Sequence, residues 1–240
     1  MLIGSKYSAL FRGKTSLLFA IDLHIHTWYS KCSPMKPGCA IAAARRRGLH
    51  GIAITDHNSL RGWKSIGRKI RRGIRIIPGI EVATSKGDVL GYFVEEPIKS
   101  KIYEEVVDEI LDLGGFPVLA HPFDGLRKSA SHPQKPLTAA HGIEIMNGRC
   151  LLPNANHKAR VFAERHHLSV TGGSDAHFHS EVGNCVTFFE SDDPNDVLDA
   201  LFHNHLYVRG SRSSFAVHPA TFLVRNARRL LRKGPLWKKR

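Results

Sequence analysis

The chain has 240 residues, the length of one large domain, and is 42% apolar and 23% charged, a balance that supports a sizeable core and excludes wholesale disorder. Its formal net charge of +14 favours anionic partners: phosphorylated substrates, nucleic acid or a membrane surface. No apolar run approaches the roughly 18 residues of a membrane helix, and the four cysteines form no CxxC pair and no evident disulfide framework, so a reduced, cytoplasmic setting is expected.

The first β-rich run is Leu17–His26; its apolar start, Leu17 to Ile21, leads directly into Asp22 and His24 without a small-residue cleavage site and does not read as a signal peptide. Further β-rich runs follow at Gly51–Thr55, Ile74–Val82, Val89–Val94, Phe116–Ala120, Gly142–Met146, Leu168–Thr171 and Cys185–Phe189. Helix-like stretches lie between them at Pro37–Arg47, Leu60–Arg72, Lys99–Leu113, Asn154–His166 and Pro194–Phe202. Such alternation predicts parallel strands joined by crossover helices. Short, continuously apolar strands suit a sheet buried on both faces. The first expectation is a closed or nearly closed α/β barrel, and the second an open doubly wound sheet. No GxGxxG follows a strand, which counts against dinucleotide binding.

A loop-like break at Gly210–Ser214 divides a core, residues 1–214, from a basic extension, residues 215–240. Residues 219–240 hold eight basic residues and no acidic one. Three readings of this tail stay open: a basic amphipathic helix on an anionic membrane, a contact with nucleic-acid phosphates, or a terminus without a partner. Arg45-Arg46-Arg47 closes a predicted helix, where cations favour the dipole and face water.

Fifteen histidines are the strongest chemical signal. His24 and His26 stand two apart on a strand, so both face one side. Alone, the pair reads equally as two ligands of one divalent ion or as polar residues at a strand end. It is not alone. Thr55-Asp56-His57-Asn58, Gly79-Ile80-Glu81, Ala120-His121-Pro122 and Ser174-Asp175-Ala176-His177 each place an imidazole or carboxylate at a strand end. In a parallel barrel those ends converge on the C-terminal rim, where active sites are built. So many unpaired titratable groups would be costly to bury without a cation.

This ordered set, with Asp22-Leu23-His24-Ile25-His26 at its head, resembles the PHP (polymerase and histidinol phosphatase) family over about residues 20–210. The resemblance implies a distorted (β/α)7 TIM-like barrel with two or three divalent metal ions (zinc, manganese or iron) at its C-terminal face. It also implies a PHP-associated C-terminal region over about residues 168–210. By position, His24, His26 and Asp175 would hold a first ion, and Glu81 would bridge it to a second held by His121. His57 and His177 would hold a third. Cys32 stands where many members carry Asp or His; it reads either as a soft ligand favouring zinc or as a small buried thiol. No His occupies the expected second-metal position after residues 142–147, leaving Asn147, Cys150 or water to complete that shell.

The implied activity is phosphoester hydrolysis by a metal-bound hydroxide, with Glu81 and Asp175 as catalytic-centre carboxylates and His179 as a candidate proton donor to the leaving group. Asp56 reads as an acceptor for a ligand imidazole or as a strand-end cap. Asn58, Arg61, Asn147 and Arg149 are candidate substrate contacts, Arg149 as a fork on phosphate. The basic surplus leans the substrate toward a nucleotide or nucleic-acid end. The rivals are a small-molecule phosphomonoesterase of the histidinol-phosphate kind, and a non-catalytic, metal-stabilised module that docks nucleic acid or membrane through its tail.

Overall fold

Largely apolar runs of four to ten residues form the strands of one sheet. A computed structural model describes residues 17–67, 73–127, 133, 141–191, 196–204 and 206–232. The elements are β1 (Leu17–Ile25), α1 (Pro37–Arg46), β2 (Gly51–Ile54), α2 (Arg61–Lys64), β3 (Arg75–Thr84), β4 (Gly87–Tyr92), α3 (Tyr103–Asp112) and β5 (Phe116–Leu119). They continue with β6 (Gly142–Asn147), α4 (Ala155–His166), β7 (Ser169–Gly173), β8 (Cys185–Ser191), α5 (Val197–His203), β9 (Leu206–Gly210) and α6 (Val217–Arg232).

The strand order is β7-β6-β5-β4-β3-β2-β1-β8-β9. The sheet curls until its ends meet: Ile25 bridges Ala176 in parallel, and His26 N donates to Ala176 O at 2.9 Å. The result is a nearly closed, TIM-like barrel of mixed α/β type. Helix α3 packs Tyr103, Val106, Val107 and Ile110 inward, the spacing of one helical face. Proline opens α1, and Arg45 and Arg46 stand in its last turn, where cations complement the dipole.

The expectation of parallel strands holds for β1–β2, β2–β3, β5–β6 and β6–β7. It is corrected at β3–β4, β4–β5, β1–β8 and β8–β9, which are antiparallel. The cause is loop length. Thr84 pairs with Gly87 across a two-residue turn, far too short for a crossover, and Gly87 takes φ 123 there, open to glycine. No helix intervenes between β7 and β8, so β8 returns beside β1 in the opposite sense. Helix α2 is one turn long rather than spanning Leu60–Arg72; residues 68–72 lie outside the described ones. Strand β9, where no strand is read in the sequence, pairs with β8, and Tyr207 stacks on Phe188 at 4.8 Å. The tail is helical over Val217–Arg232, while Trp237 and the final basic residues lie outside the described ones.

Closure of the barrel leaves no room at Gly173. A Cβ there would come 2.3 Å from His24 Cβ and 2.5 Å from His24 N. Gly173→Ala is therefore expected to cost about 3 kcal/mol, the upper end of overpacking, read as a lower midpoint in urea unfolding. An unchanged midpoint would show that β1 and β7 do not meet this closely.

Candidate metal centre

The strand ends bring seven donors into one buried cluster. His24 lies within β1 and His26 one residue past it, and both are fully buried. Their Nε2 atoms face each other at 3.2 Å. Glu81, from the middle of β3, is 1% exposed and reaches four rings. Its Oε1 lies 2.9 Å from His121 Nε2 and 3.5 Å from His24 Nε2. Its Oε2 lies 2.6 Å from His57 Nδ1 and 3.3 Å from His26 Nε2. Asp175, just past β7, points Oδ1 at His26 Nε2 (3.2 Å) and His24 Nε2 (3.7 Å). Its backbone takes φ 54, a left-handed conformation that Asp tolerates better than most residues. His177 Nε2 lies 3.1 Å from Cys32 Sγ, and its ring packs on His26 at 4.5 Å.

The hydrogen bonds behind the cluster fix which nitrogen faces inward. His24 Nδ1 donates to Glu144 Oε1 at 2.9 Å, leaving Nε2 its lone pair when the ring is neutral. Ser30 Oγ donates to Asp56 Oδ1 at 2.6 Å. Its proton being spent, Ser30 accepts from His26 Nδ1 at 3.3 Å. His177 Nδ1 donates to Asp175 O at 2.8 Å. Two imidazoles, His24 and His26, thus direct confronting Nε2 lone pairs toward two carboxylates, while His177 turns its Nε2 to Cys32. Glu81 Oε2 is buried and accepts no hydrogen bond of good geometry. With its rings neutral, such a set is repulsive until a cation enters it. The residues therefore fit a divalent ion, with the supporting bonds typical of metal-ligating histidines. Among the described residues, four overlapping trios have donor atoms within 4.8 Å of one another: His24-His26-Glu81, His24-His121-Asp175, Glu81-Asp88-His121 and His26-His57-His177.

Electrostatics follow the same division. Burial opposes the charge on His24, but Glu144, Asp175 and Glu81 outweigh it and hold its pKa well above the ordinary imidazole range. Burial likewise disfavours ionised Glu81, yet His57, His24 and His121 keep it well below the usual carboxylate range. Asp175 is held low against burial by Arg127 and His24. Burial and His57 push His26 down, and burial, His26 and Arg149 push His177 down. Both are thereby favoured as neutral rings, the ligand form.

Other expected residues fall differently. Asn58 takes φ 51 at the rim, and its side chain accepts from Lys101. Arg61 lies over the Tyr29 ring at 5.1 Å. His179 is exposed, with no hydrogen bond to the cluster among the described residues. Asn147 and Arg149, expected to meet substrate, are buried below the rim. The Asn147 amide is occupied: Nδ2 donates to Glu144 at 3.0 Å, and Oδ1 accepts from Arg149 N at 2.8 Å and Arg127 Nη2 at 3.2 Å. Arg149 is turned to α6 and Glu181. Cys150 Sγ lies 3.1 Å from Asn156 Oδ1, and burial pushes its thiol far up. Among the described residues, Asp56 makes no hydrogen bond to the clustered imidazoles. It accepts from Thr27 and Ser30, and reaches His26 through the Ser30 hydroxyl.

Several functional groups escape sequence reasoning. Glu144, within β6, accepts from His24 Nδ1 and from His121 N at 2.8 Å. Arg127 Nη1 binds Asp175 Oδ2 at 2.8 Å, and its Nε binds Asp124 at 3.0 Å. Asp88 lies 3.7 Å from His121 Nε2. An acidic residue inside an apolar strand, as in Gly142-Ile143-Glu144-Ile145, was the available signal for Glu144.

The sequence signature of the PHP domain matches residues 22–131, and that of the PHP-associated region matches residues 153–204. An uncharacterized protein of Methanocaldococcus jannaschii is 31% identical over 199 residues, covering 79% of each chain. The fold matches a two-domain protein containing a predicted PHP-like metal-dependent phosphoesterase from Bacteroides vulgatus, with a TM-score of 0.65 and 20% identity over 87% of this chain and 70% of that one. It also matches a lesion-specific endonuclease from Pyrococcus furiosus, with a TM-score of 0.57 and 17% identity over 80% of this chain and 58% of that one.

Glu144→Gln keeps the shape of the supporting bond but removes its charge. Metal affinity is expected to fall about 10- to 100-fold while circular dichroism stays unchanged. Chelator competition measures this, and undiminished affinity would remove Glu144 from the support of His24.

Proposed function

The chain belongs to the PHP domain family, and on that premise we propose that it is a metal-dependent phosphoesterase acting on nucleotides or nucleic-acid ends. The observation that carries the reading is the inward convergence of imidazole lone pairs on Glu81 and Asp175. His24, His26 and Asp175 would hold one ion, Glu81 with His121 and Asp88 a second, and His57 with His177 and Cys32 a third. Imidazole and carboxylate donors suit zinc, manganese or iron(II), and a thiolate tilts the Cys32 position toward zinc. Bound ions would supply Lewis-acid polarisation of a phosphoryl oxygen and a lowered pKa for water.

The remaining work belongs to the chain. Glu81 turns one oxygen to His24 and His121 and the other to His26 and His57, a disposition that favours a bridging role. Arg127 holds Asp175 by Oδ2 and leaves Oδ1 for the cluster. Beyond His26, aromatic and basic groups interleave: Lys36 Nζ lies 5.2 Å over Trp28, and Arg61 lies 5.1 Å over Tyr29. Trp28 is 40% exposed. A π-face beside cations, next to a phosphoester-cleaving cluster, is the chemistry that receives a nucleobase and its phosphate.

The test is a product assay with Mn²⁺ or Zn²⁺ on a 5′-phosphorylated oligonucleotide, a mononucleotide and p-nitrophenyl phosphate. Glu81→Ala is expected to lose at least about 100-fold in kcat/KM, together with part of the bound metal. Retained activity would remove Glu81 from the centre. Trp28→Ala is expected to raise KM about tenfold for the nucleotide substrates, as loss of one stacked base would, and to spare p-nitrophenyl phosphate. Cleavage of an oligonucleotide should fall steeply with salt. Free phosphate as sole product, with little salt dependence, would move the substrate to a small phosphomonoester; no turnover of any substrate would leave a binding module.

A further inference from the structure

Helix α6 lies 40 or more residues beyond the last candidate donor, yet two arginines bind it to the loops that carry Cys32 and His177. Arg228 Nη1 donates to Ser30 O at 2.9 Å and to Ser33 O at 2.7 Å. Its Nη2 donates to Trp28 O at 2.6 Å. These three carbonyls belong to the turn that contains Cys32, a stretch outside helix and strand in which Ser30 O also accepts from Ser33 N at 3.2 Å. A planar guanidinium with five donors suits such a fan of acceptors, and a lysine matches it poorly.

The second tether runs to His177. Arg149 Nη2 donates to Val217 O at 2.8 Å and to Thr221 Oγ1 at 2.6 Å, both in α6. Its Nε lies 3.0 Å from Glu181 Oε1. Glu181 Oε2 accepts from His177 N and Phe178 N, each at 3.0 Å. Both sides of the 3.1 Å contact between Cys32 Sγ and His177 Nε2 are therefore referred to one helix. Ser33 Oγ, donating to His26 O and His177 O, joins the same two loops directly.

We propose that α6 is a strap that positions Cys32 against His177, acting through Arg228 on one loop and Arg149 on the other. The consequence for metal binding rests on the phosphoesterase reading above; the placement of the thiol does not. Helix α6 is then part of the site's framework, and cutting the chain after Ser214 would release both loops rather than remove an appendage.

The test uses the full chain, with Arg228→Met, Arg228→Lys and Cys32→Ser compared with wild type. In metal-free protein, iodoacetamide modification is followed residue by residue by mass spectrometry. Cys32 is buried, Cys39 exposed, and Cys150 and Cys185 buried elsewhere. Arg228→Met is expected to speed Cys32 modification about tenfold, as a local opening would, without changing Cys150, Cys185 or the unfolding temperature; Arg228→Lys should recover part of the protection. A folded Arg228→Met chain whose Cys32 reacts at the wild-type rate overturns the proposal. Titration with Co²⁺ then reads the consequence. Wild type should develop a thiolate-to-cobalt charge-transfer band that Cys32→Ser abolishes, and Arg228→Met should need about tenfold more Co²⁺ to reach it. A wild type without that band sinks the metal role of Cys32, and the modification rates still decide the strap.

Discussion

A carboxylate that is 1% exposed and within 3.5 Å of four imidazoles is the constraint on which this structure turns. Glu81 has no access to bulk water, so its charge must be met by neighbours or by an ion. Neighbouring rings can meet it with protons, and His24 and His57 are both pushed toward the protonated form. A divalent ion meets it better, because His26 and His177 are biased to stay neutral and cannot contribute charge themselves. The cluster thus has two electrostatic solutions, protons or metal, and the same carboxylates serve both.

Around that centre lies a second ring of acids whose task is geometric. Asp22 accepts from Ser174 Oγ (2.5 Å), Ser174 N (2.9 Å) and Gly183 N (2.7 Å), and so ties β1 to the loop after β7. Asp56 accepts from the backbone and hydroxyl of both Thr27 and Ser30. Asp124 caps Leu151 N and Leu152 N, each at 2.9 Å, while holding Arg127. Each fixes a rim loop by accepting from that loop's main-chain donors. The barrel supplies strand ends that converge, and these acids turn convergence into fixed side-chain directions.

How much of this can be read from the sequence depends on whether a residue announces itself locally. His24 and His26 share a face because a strand repeats every two residues, and Asp56-His57, His121 and Asp175 directly follow apolar runs. Those signals place the donors together before any coordinates exist. Strand direction is a property of the links, and the Ser85-Lys86 turn is short enough to reverse β4. Glu144 and Arg127 are harder still, because their partners lie 120 and 48 residues away in His24 and Asp175. Asn147 and Arg149 follow a strand end as the donors do, but burial beneath the rim gives them to the supporting network.

The formal charge of +14 must be read in the same light. Arg127 is paired with Asp175 and Asp124, and Arg149 with Glu181. Arg228 is bound to three carbonyls at the rim rather than held out to solvent. These cations organise the interior, and their field is largely met within the molecule. What stays outward on α6 is a different surface: Phe222, Leu223 and Leu230 are exposed beside Arg225 and Arg229. Among the described residues, one face of that helix is committed to the loops that carry Cys32 and His177 and the other is exposed. Anything that engages the exposed face acts on the same element that holds Cys32 and His177, so occupation of that face and geometry of the cluster share one mechanical link.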